Sequence, residues 1–200
     1  MRSKGMLNTI GAVVLLLSSY PLFPQEEEEA PPIGVYSLGQ QSLSISAGLP
    51  IPLFFMAFDG TVSDSTNLSL GGAGSLQWGL HLDNHWLVGL EVGGSFNRSL
   101  RENILYMLPV TAKGAFIIHA YPFEFPVFLG TGLAVVKYTS LVDVNFVLKP
   151  GFSTIWKYNV SWGFGLNVVY WWILQPWAAV PEMGRMGNFL EVTATAQYHF

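Results

Sequence analysis

Eight segments in which apolar residues recur at every second position, a charged fraction of only 11%, and 21 glycines among 200 residues predict an all-β chain: an eight-stranded antiparallel up-and-down transmembrane β-barrel. The periodicity is clearest at the carboxy-terminus. In Asn188 to Phe200 (NFLEVTATAQYHF), Leu190, Val192, Ala194, Ala196, Tyr198 and Phe200 alternate with Phe189, Glu191, Thr193, Thr195, Gln197 and His199. Successive side chains of an extended strand point to opposite faces, so this segment lies between two different solvents. Soluble domains carry about 25% Asp, Glu, Lys and Arg. This chain, with mean hydropathy +0.39 and 14% aromatic residues, has too few charges to coat a water-exposed surface.

Composition also removes several function classes. The net charge of -4 comes largely from Glu26 to Glu29, which leaves no basic footprint for a nucleic acid. Cysteine is absent, so disulfides, thiolate metal sites, a cysteine nucleophile and a lipoprotein anchor are excluded. Arg2 and Lys4 precede the apolar run Ile10 to Leu17, the layout of a secretory signal peptide, expected over residues 1–24 with cleavage between Ser19 and Gln25. Residues 25–38, acidic and then proline-bearing, read as a solvated leader, and residues 39–200 as the barrel. Beyond the amino-terminal segment, no apolar run approaches the roughly 20 residues of a spanning helix.

The first strand is expected over Gln41 to Leu49, with Leu43, Ile45, Ala47 and Leu49 opposite Ser42, Ser44, Ser46 and Gly48; Pro50 and Pro52 should end it. A loop, apolar at its start and polar at its tip, is expected from Pro50 to Thr66. The second strand, Asn67 to Leu82, sets Leu68, Leu70, Leu76, Trp78, Leu80 and Leu82 against Ser69, Ala73, Ser75, Gln77, Gly79 and His81, then turns at Asp83-Asn84. In the third, His85 to Phe96, Trp86, Val88, Leu90, Val92 and Phe96 oppose Leu87, Gly89, Glu91, Gly93 and Ser95. After Asn97 to Glu102, the fourth, Asn103 to Ala120, opposes Ile104, Tyr106, Leu108, Val110, Ala112, Phe116 and Ile118 to Met107, Thr111, Lys113, Ala115 and His119.

Tyr121-Pro122 through Phe125-Pro126 reads as a turn. The fifth strand, Val127 to Val136, has Gly130, Gly132 and Ala134 on its inner face, and Lys137 to Asn145 reads as a loop. The sixth, Phe146 to Trp156, has Lys149, Gly151 and Ser153 inward, with Pro150 weakening it. A turn at Lys157 to Asn159 leads to the seventh, Val160 to Leu174, whose alternate residues Trp162, Phe164, Leu166, Val168, Tyr170 and Trp172 face Ser161, Gly163, Gly165 and Asn167. Gln175 to Gly187 is a loop before the closing strand. Connections after the odd strands come out mostly longer, those after the even ones tight, as in barrels with short turns at one end and long loops at the other.

A soluble barrel would bury the apolar face and show water a surface of Gly, Ser and Ala. The opposite assignment is favoured: large apolar residues face lipid, and small residues with a few charges fill a narrow lumen. Trp78, Trp86, Tyr106, Trp156, Tyr170, Trp172, Trp177 and Tyr198, near strand ends, suit interfacial girdles. Four charges fall inward, Glu91, Lys113, Lys149 and Glu191, and their signs balance. Ion pairing among them is expected, with Glu91 and Lys113 the best placed on adjacent strands.

No catalytic, cofactor or metal site emerges. His81, His85, His119 and His199 all have inward parity but look scattered, as ordinary lumen or interfacial histidines. Gly130 to Gly132 and Gly163 to Gly165 lie inside strands, where they cannot cradle phosphate. Asp59, Asp64 and Asp143 read as solvated loop carboxylates.

The terminal Phe200, Tyr198 two residues before it, and Ala196, Ala194 and Val192 at alternate positions resemble the closing strand that the assembly machinery of bacterial outer-membrane barrels reads. Residues 39–200 resemble the small eight-stranded barrels of that membrane, the OmpW-like, OmpX-like and OmpA-barrel group, and Pro126 to Val136 (PVFLGTGLAVV) looks most like an OmpW-type strand. The resemblance implies a bacterial outer-membrane location, contact with lipid and with the barrel assembly machinery, and passage or binding of small hydrophobic solutes, entering near Ile51 to Phe58 and Trp177 to Val180. A structural or adhesive surface protein displaying its loops over a plugged lumen is the competing class. A lipid-acting enzyme ranks third, because the lipid-facing positions carry no Ser-His-acid set.

Overall fold

The computed structural model describes residues 36–63, 66–99, 103–139, 141–175 and 184–200. Eight long strands form one antiparallel sheet, each pairing with its sequence neighbour: β1 (Gln41–Ala57), β3 (Gly72–His81), β4 (Trp86–Arg98), β5 (Ile104–Ala120), β6 (Phe123–Tyr138), β7 (Leu141–Lys157), β8 (Trp162–Gln175) and β9 (Arg185–His199). The two-residue β2 (Val62–Ser63) folds back onto the end of β1. Pairing of β1 with β9, from Ser42↔His199 to Ala57↔Arg185, closes the sheet into a barrel. Closure pairs both sides of the strands over most of their length, which hydrocarbon requires because it offers backbone groups no hydrogen bonds.

Exposed and buried residues alternate along β4, β5 and β6. Leu90, Val92, Leu108, Val110, Leu129 and Leu133 lie outward and exposed, a surface that would be an outsized apolar patch in water and is an ordinary lipid-facing belt. At the end with the tight turns, Trp156, Tyr158, Phe164, Trp162, Tyr198 and Phe200 form a continuous run of ring contacts. Trp78, Trp86, Tyr106 and Trp172 are also outward; Trp177 lies outside the described residues.

Several strands exceed their expected bounds, and prolines explain most of the difference. Pro50 and Pro52 do not end β1, which runs on to Ala57 and absorbs the apolar start of the expected loop. Pairing of β1 with β3 stops at Gly48↔Ala73, so both prolines sit where only β9 flanks the strand and a missing N–H is tolerated. Pro126, expected in a turn, lies within β6, and Pro150 lies within β7. The β6–β7 ladder skips Phe125 and Pro126, the β7–β8 ladder skips Lys149 and Pro150, and Pro109 lies at a similar gap between β4 and β5. Each proline thus sits beside a local gap in one ladder.

The expected loop Lys137 to Asn145 is instead largely strand, paired from Ala134↔Asn145 to Tyr138↔Leu141. Its connection is two residues, with Thr139 at φ 54. The expected second strand begins at Gly72 rather than Asn67; before it Leu68 only bridges Ser99, and its side chain packs on the buried core instead of facing lipid. The tight turns keep their places, though the one expected through Pro126 narrows to Tyr121-Pro122 and Lys157 ends β7: the Asp83 carboxylate accepts from the His85 and Trp86 amides at 2.7 and 2.6 Å, and Asn159 caps the β7–β8 turn by accepting from Ser161 and Trp162.

Candidate functional site

The lumen is filled at three levels. At mid-height β4 contributes Glu91, β5 Lys113, β7 Lys149 and β9 Glu191, all at most 9% exposed. Lys113 Nζ lies 3.6 Å from Glu91 Oε2 and donates to Gln77 Oε1 at 2.6 Å. Lys149, from the opposite side of the barrel, makes the closer contact to Glu91. Glu191 stands within Coulombic reach of both lysines. The lysines also lie over aromatic faces, Lys113 3.5 Å from the Phe128 centroid and Lys149 4.2 Å from that of Trp171. Two cations, two carboxylates and two rings therefore close this level. Burial makes each charge dependent on its partners, because an unpaired ion in a poorly hydrated interior is costly.

Towards the end with the longer connections, the lumen is apolar rather than lined by the small polar residues expected. Leu105, Met107, Val136, Val147, Trp171, Ile173 and Phe189 are all buried there. They surround a cavity of about 670 Å³, walled by Phe55, Leu105, Met107, Val136, Ile173 and Phe189 and rimmed by Asn67, Asp143, Gln175 and Arg185. That volume lies within the range of small-molecule pockets, which are mostly apolar with a few polar groups. Of the expected entry segments, Phe55 reaches the cavity wall from within β1, and Trp177 to Val180 lie outside the described residues.

The tight-turn end holds a cluster that the spacing of the histidines concealed. Tyr36 enters the mouth from the amino-terminal side and is 5% exposed. Its ring stacks on His81 at 3.9 Å and His199 at 5.1 Å, with His119 at 5.8 Å. Its hydroxyl donates to the Glu124 carboxylate at 2.7 Å, and Glu124 also meets His119 at 3.3 Å and Lys157 at 3.7 Å. The scattered reading of the histidines is corrected for these three, since strand pairing places the ends of β3, β5 and β9 at one height. His85 departs from its inward parity; it is exposed and stacks on Phe116 at 5.6 Å. Among the described residues no group of three or more His, Asp or Glu is arranged to hold a metal ion.

Glu124 and Lys157 were missed because both fell in expected turns. Parity would have found them: Glu124 continues the even-numbered inner face of Gly130 and Gly132, and Lys157 the odd-numbered one of Lys149, Gly151 and Ser153. Nothing in the sequence marks Tyr36. The strand glycines serve close approach, not ligand binding: a Cβ on Gly132 would lie 2.1 Å from the Val110 carbonyl oxygen. On β9, Val192 and Tyr198 lie outward and exposed, Ala194 and Ala196 share that face, and Phe200, just past the strand, is exposed as well.

A protein-family model matches residues 24–198, and the fold aligns with crystal structures of two outer-membrane barrels. OprG from Pseudomonas aeruginosa superposes with a TM-score of 0.59 over 84% of this chain and 99% of its own, at 12% identity. Neisserial surface protein A gives 0.52 over 84% and 99%, at 10% identity. The chain has the fold of the small eight-stranded outer-membrane β-barrels. An uncharacterized protein of Borreliella burgdorferi is 26% identical over 156 residues, 67% of this chain and 73% of its own length. In a barrel of this fold the tight turns face the periplasm and the longer connections the exterior. The charged layer then divides an exterior apolar cavity from the periplasmic Tyr36 cluster, and the outward belt contacts outer-membrane lipid.

Proposed function

We propose that this barrel binds small hydrophobic solutes in its exterior cavity. The observation that carries the reading is the 670 Å³ cavity with its apolar wall, in a lumen whose middle level is closed by the buried Glu91, Lys113 and Lys149. An apolar solute in that wall would be shed of water at little cost, whereas the ion-paired layer beneath would have to be broken before it could move further inward. The reading is therefore of a binder more than an axial conduit. Loss of β1–β3 pairing beyond Gly48↔Ala73, with β1 continuing to Ala57, favours a lateral route between the wall and the bilayer. The chemistry is non-enzymatic in this reading. Residues 1–24 act as the export signal, 25–38 as a leader whose Tyr36 is inserted in the barrel mouth, and the outward face of Val192, Ala194, Ala196, Tyr198 and Phe200 as the closing segment that the assembly machinery reads.

A saturable fluorescence titration with N-phenyl-1-naphthylamine, on refolded protein in lipid nanodiscs, tests the reading against empty nanodiscs. Met107→Trp and Val136→Phe each place bulk in the cavity and should weaken binding at least tenfold. Binding unchanged in both folded variants, or none above the lipid background, sinks the proposal. A second reading, a scaffold displaying exterior loops, is favoured by the β6–β7 hairpin, whose Leu141, Val142 and Val144 are exposed. That reading gains if the folded protein does not bind the dye.

A further inference from the structure

Tyr36 occupies the periplasmic mouth as a stopper would, and its surroundings are unevenly charged. Its backbone N–H donates to Asn84 Oδ1 at 3.1 Å, so the residue is anchored at both backbone and ring. Every element around it presents a polar or ionisable group or a packing wall. β1 offers Ser42 and Ser44, β3 His81, and the β3–β4 turn Asn84; β4 gives Leu87, β5 His119, β6 Glu124, β7 Lys157 and β9 Gln197 and His199, while β8 passes with Gly163. Lys113 of β5 reaches the adjoining cavity but is paired with Glu91, so among these described groups the fixed charges at the ring itself are one carboxylate, Glu124, and one ammonium, Lys157. They cancel, provided that the imidazoles are neutral.

The geometry favours neutral rings. Lys157 Nζ lies 3.3 Å from His199 Nε2, a distance at which a neutral imidazole accepts and an imidazolium repels. His81 and His199 stand 5.6 Å apart on the same Tyr36 ring, and among the described residues both ring nitrogens of His81 and Nδ1 of His199 are buried without a hydrogen-bond partner. A proton on either ring would therefore enter a buried site beside Lys157, with Glu124 already engaged by Tyr36, His119 and Lys157. Next to the cluster lies a cavity of about 40 Å³, between Tyr36, Lys113, Glu124 and His199, large enough for about one water molecule. Departure of the Tyr36 ring would hydrate this space and the imidazoles together.

We propose that Tyr36 is a proton-released stopper: neutral His81 and His199 hold its ring in the periplasmic mouth, and proton uptake by them expels it and hydrates the inner lumen. The device depends on the periplasmic cluster alone, so it stands or falls independently of solute binding in the exterior cavity. Histidine is the side chain whose charge ordinarily changes between about pH 5 and 8.

The test is 19F NMR of the full barrel in nanodiscs with 3-fluorotyrosine at position 36, titrated from about pH 8 through the histidine window to about pH 3, because the site beside Lys157 disfavours the imidazolium. A single buried resonance should give way to a sharp, solvent-like one as pH falls, while heat-modifiable migration shows the barrel intact. His81→Phe with His199→Phe keeps aromatic stacking but cannot take up protons, and should hold the buried resonance throughout. A wild-type resonance that stays buried across the titration overturns the proposal, as does release in the double variant at the wild-type pH. Should the double variant not refold, His199→Gln alone should move the release midpoint, and an unmoved midpoint is equally fatal.

Discussion

The two halves of the lumen, on either side of the Glu91–Lys149 layer, differ in chemistry on the same strands. The exterior half is held by apolar packing around a cavity, with Met107, Ile173 and Phe189 in its wall. The periplasmic half adds to buried apolar residues such as Leu87, Ile117 and Ile155 a polar cluster in which Tyr36, Glu124, His119, His199 and Lys157 are bonded or stacked. Parity alone does not distinguish them. A residue that points inward meets a hydrophobic wall at one height and a hydrogen-bond network at another, and strand register decides which.

Substitutions can break or sharpen this contrast. The largest effect should come from the layer between the halves. Glu91→Ala leaves Lys113 and Lys149 buried beside each other, and a broken buried pair costs roughly 3–5 kcal/mol. Urea unfolding in lipid vesicles measures it, and a loss below about 1 kcal/mol would mean that water already solvates the layer, erasing the division. Next, Leu90→Arg on the lipid-facing side of β4 should cost about 2–4 kcal/mol in the same assay, the usual penalty at the bilayer midplane. A neutral result would show that this face does not meet hydrocarbon.

Within the exterior half, Ile173→Ala should cost about 2 kcal/mol, near the low end for such truncations because one side of the residue already borders a cavity. The same change should leave the Tyr36 resonance untouched if the halves are independent, and a shifted resonance would couple them. The smallest effect belongs to Asp83 in the β3–β4 turn. Hydrogen bonds from the His85 amide, and then the Trp86 amide, hold its carboxylate below the ordinary aspartate range. A group lowered on folding contributes stability above its unfolded value and loses it as pH falls through the folded one. Asp83→Ala should thus lower stability slightly at neutral pH, with the difference from wild type vanishing in strong acid. Urea unfolding midpoints at the two pH values check this.

The positions of Glu91, Lys113, Lys149 and Glu191 could be read from alternation because each lies between clear neighbours. Trp171 and Ile173 could not, because Val169-Tyr170-Trp171-Trp172-Ile173-Leu174 is apolar on both faces and carries no alternation to read. The Pro126 and Pro150 strands were shortened for a different reason: proline signals an interruption in hydrogen bonding, and only the neighbouring strand reveals whether one missing N–H matters there.

By itself, the sequence determined the antiparallel barrel, its outward face and the sites of its tight turns, because these follow from period two, charge scarcity and local turn chemistry. The tertiary structure decided that Lys149 reaches Glu91 across the barrel, that three distant histidines converge on Tyr36, and that the exterior lumen is apolar. Those features depend on closure and inter-strand register, which set the height at which side chains from different strands meet. Local periodicity specifies a face but not that height.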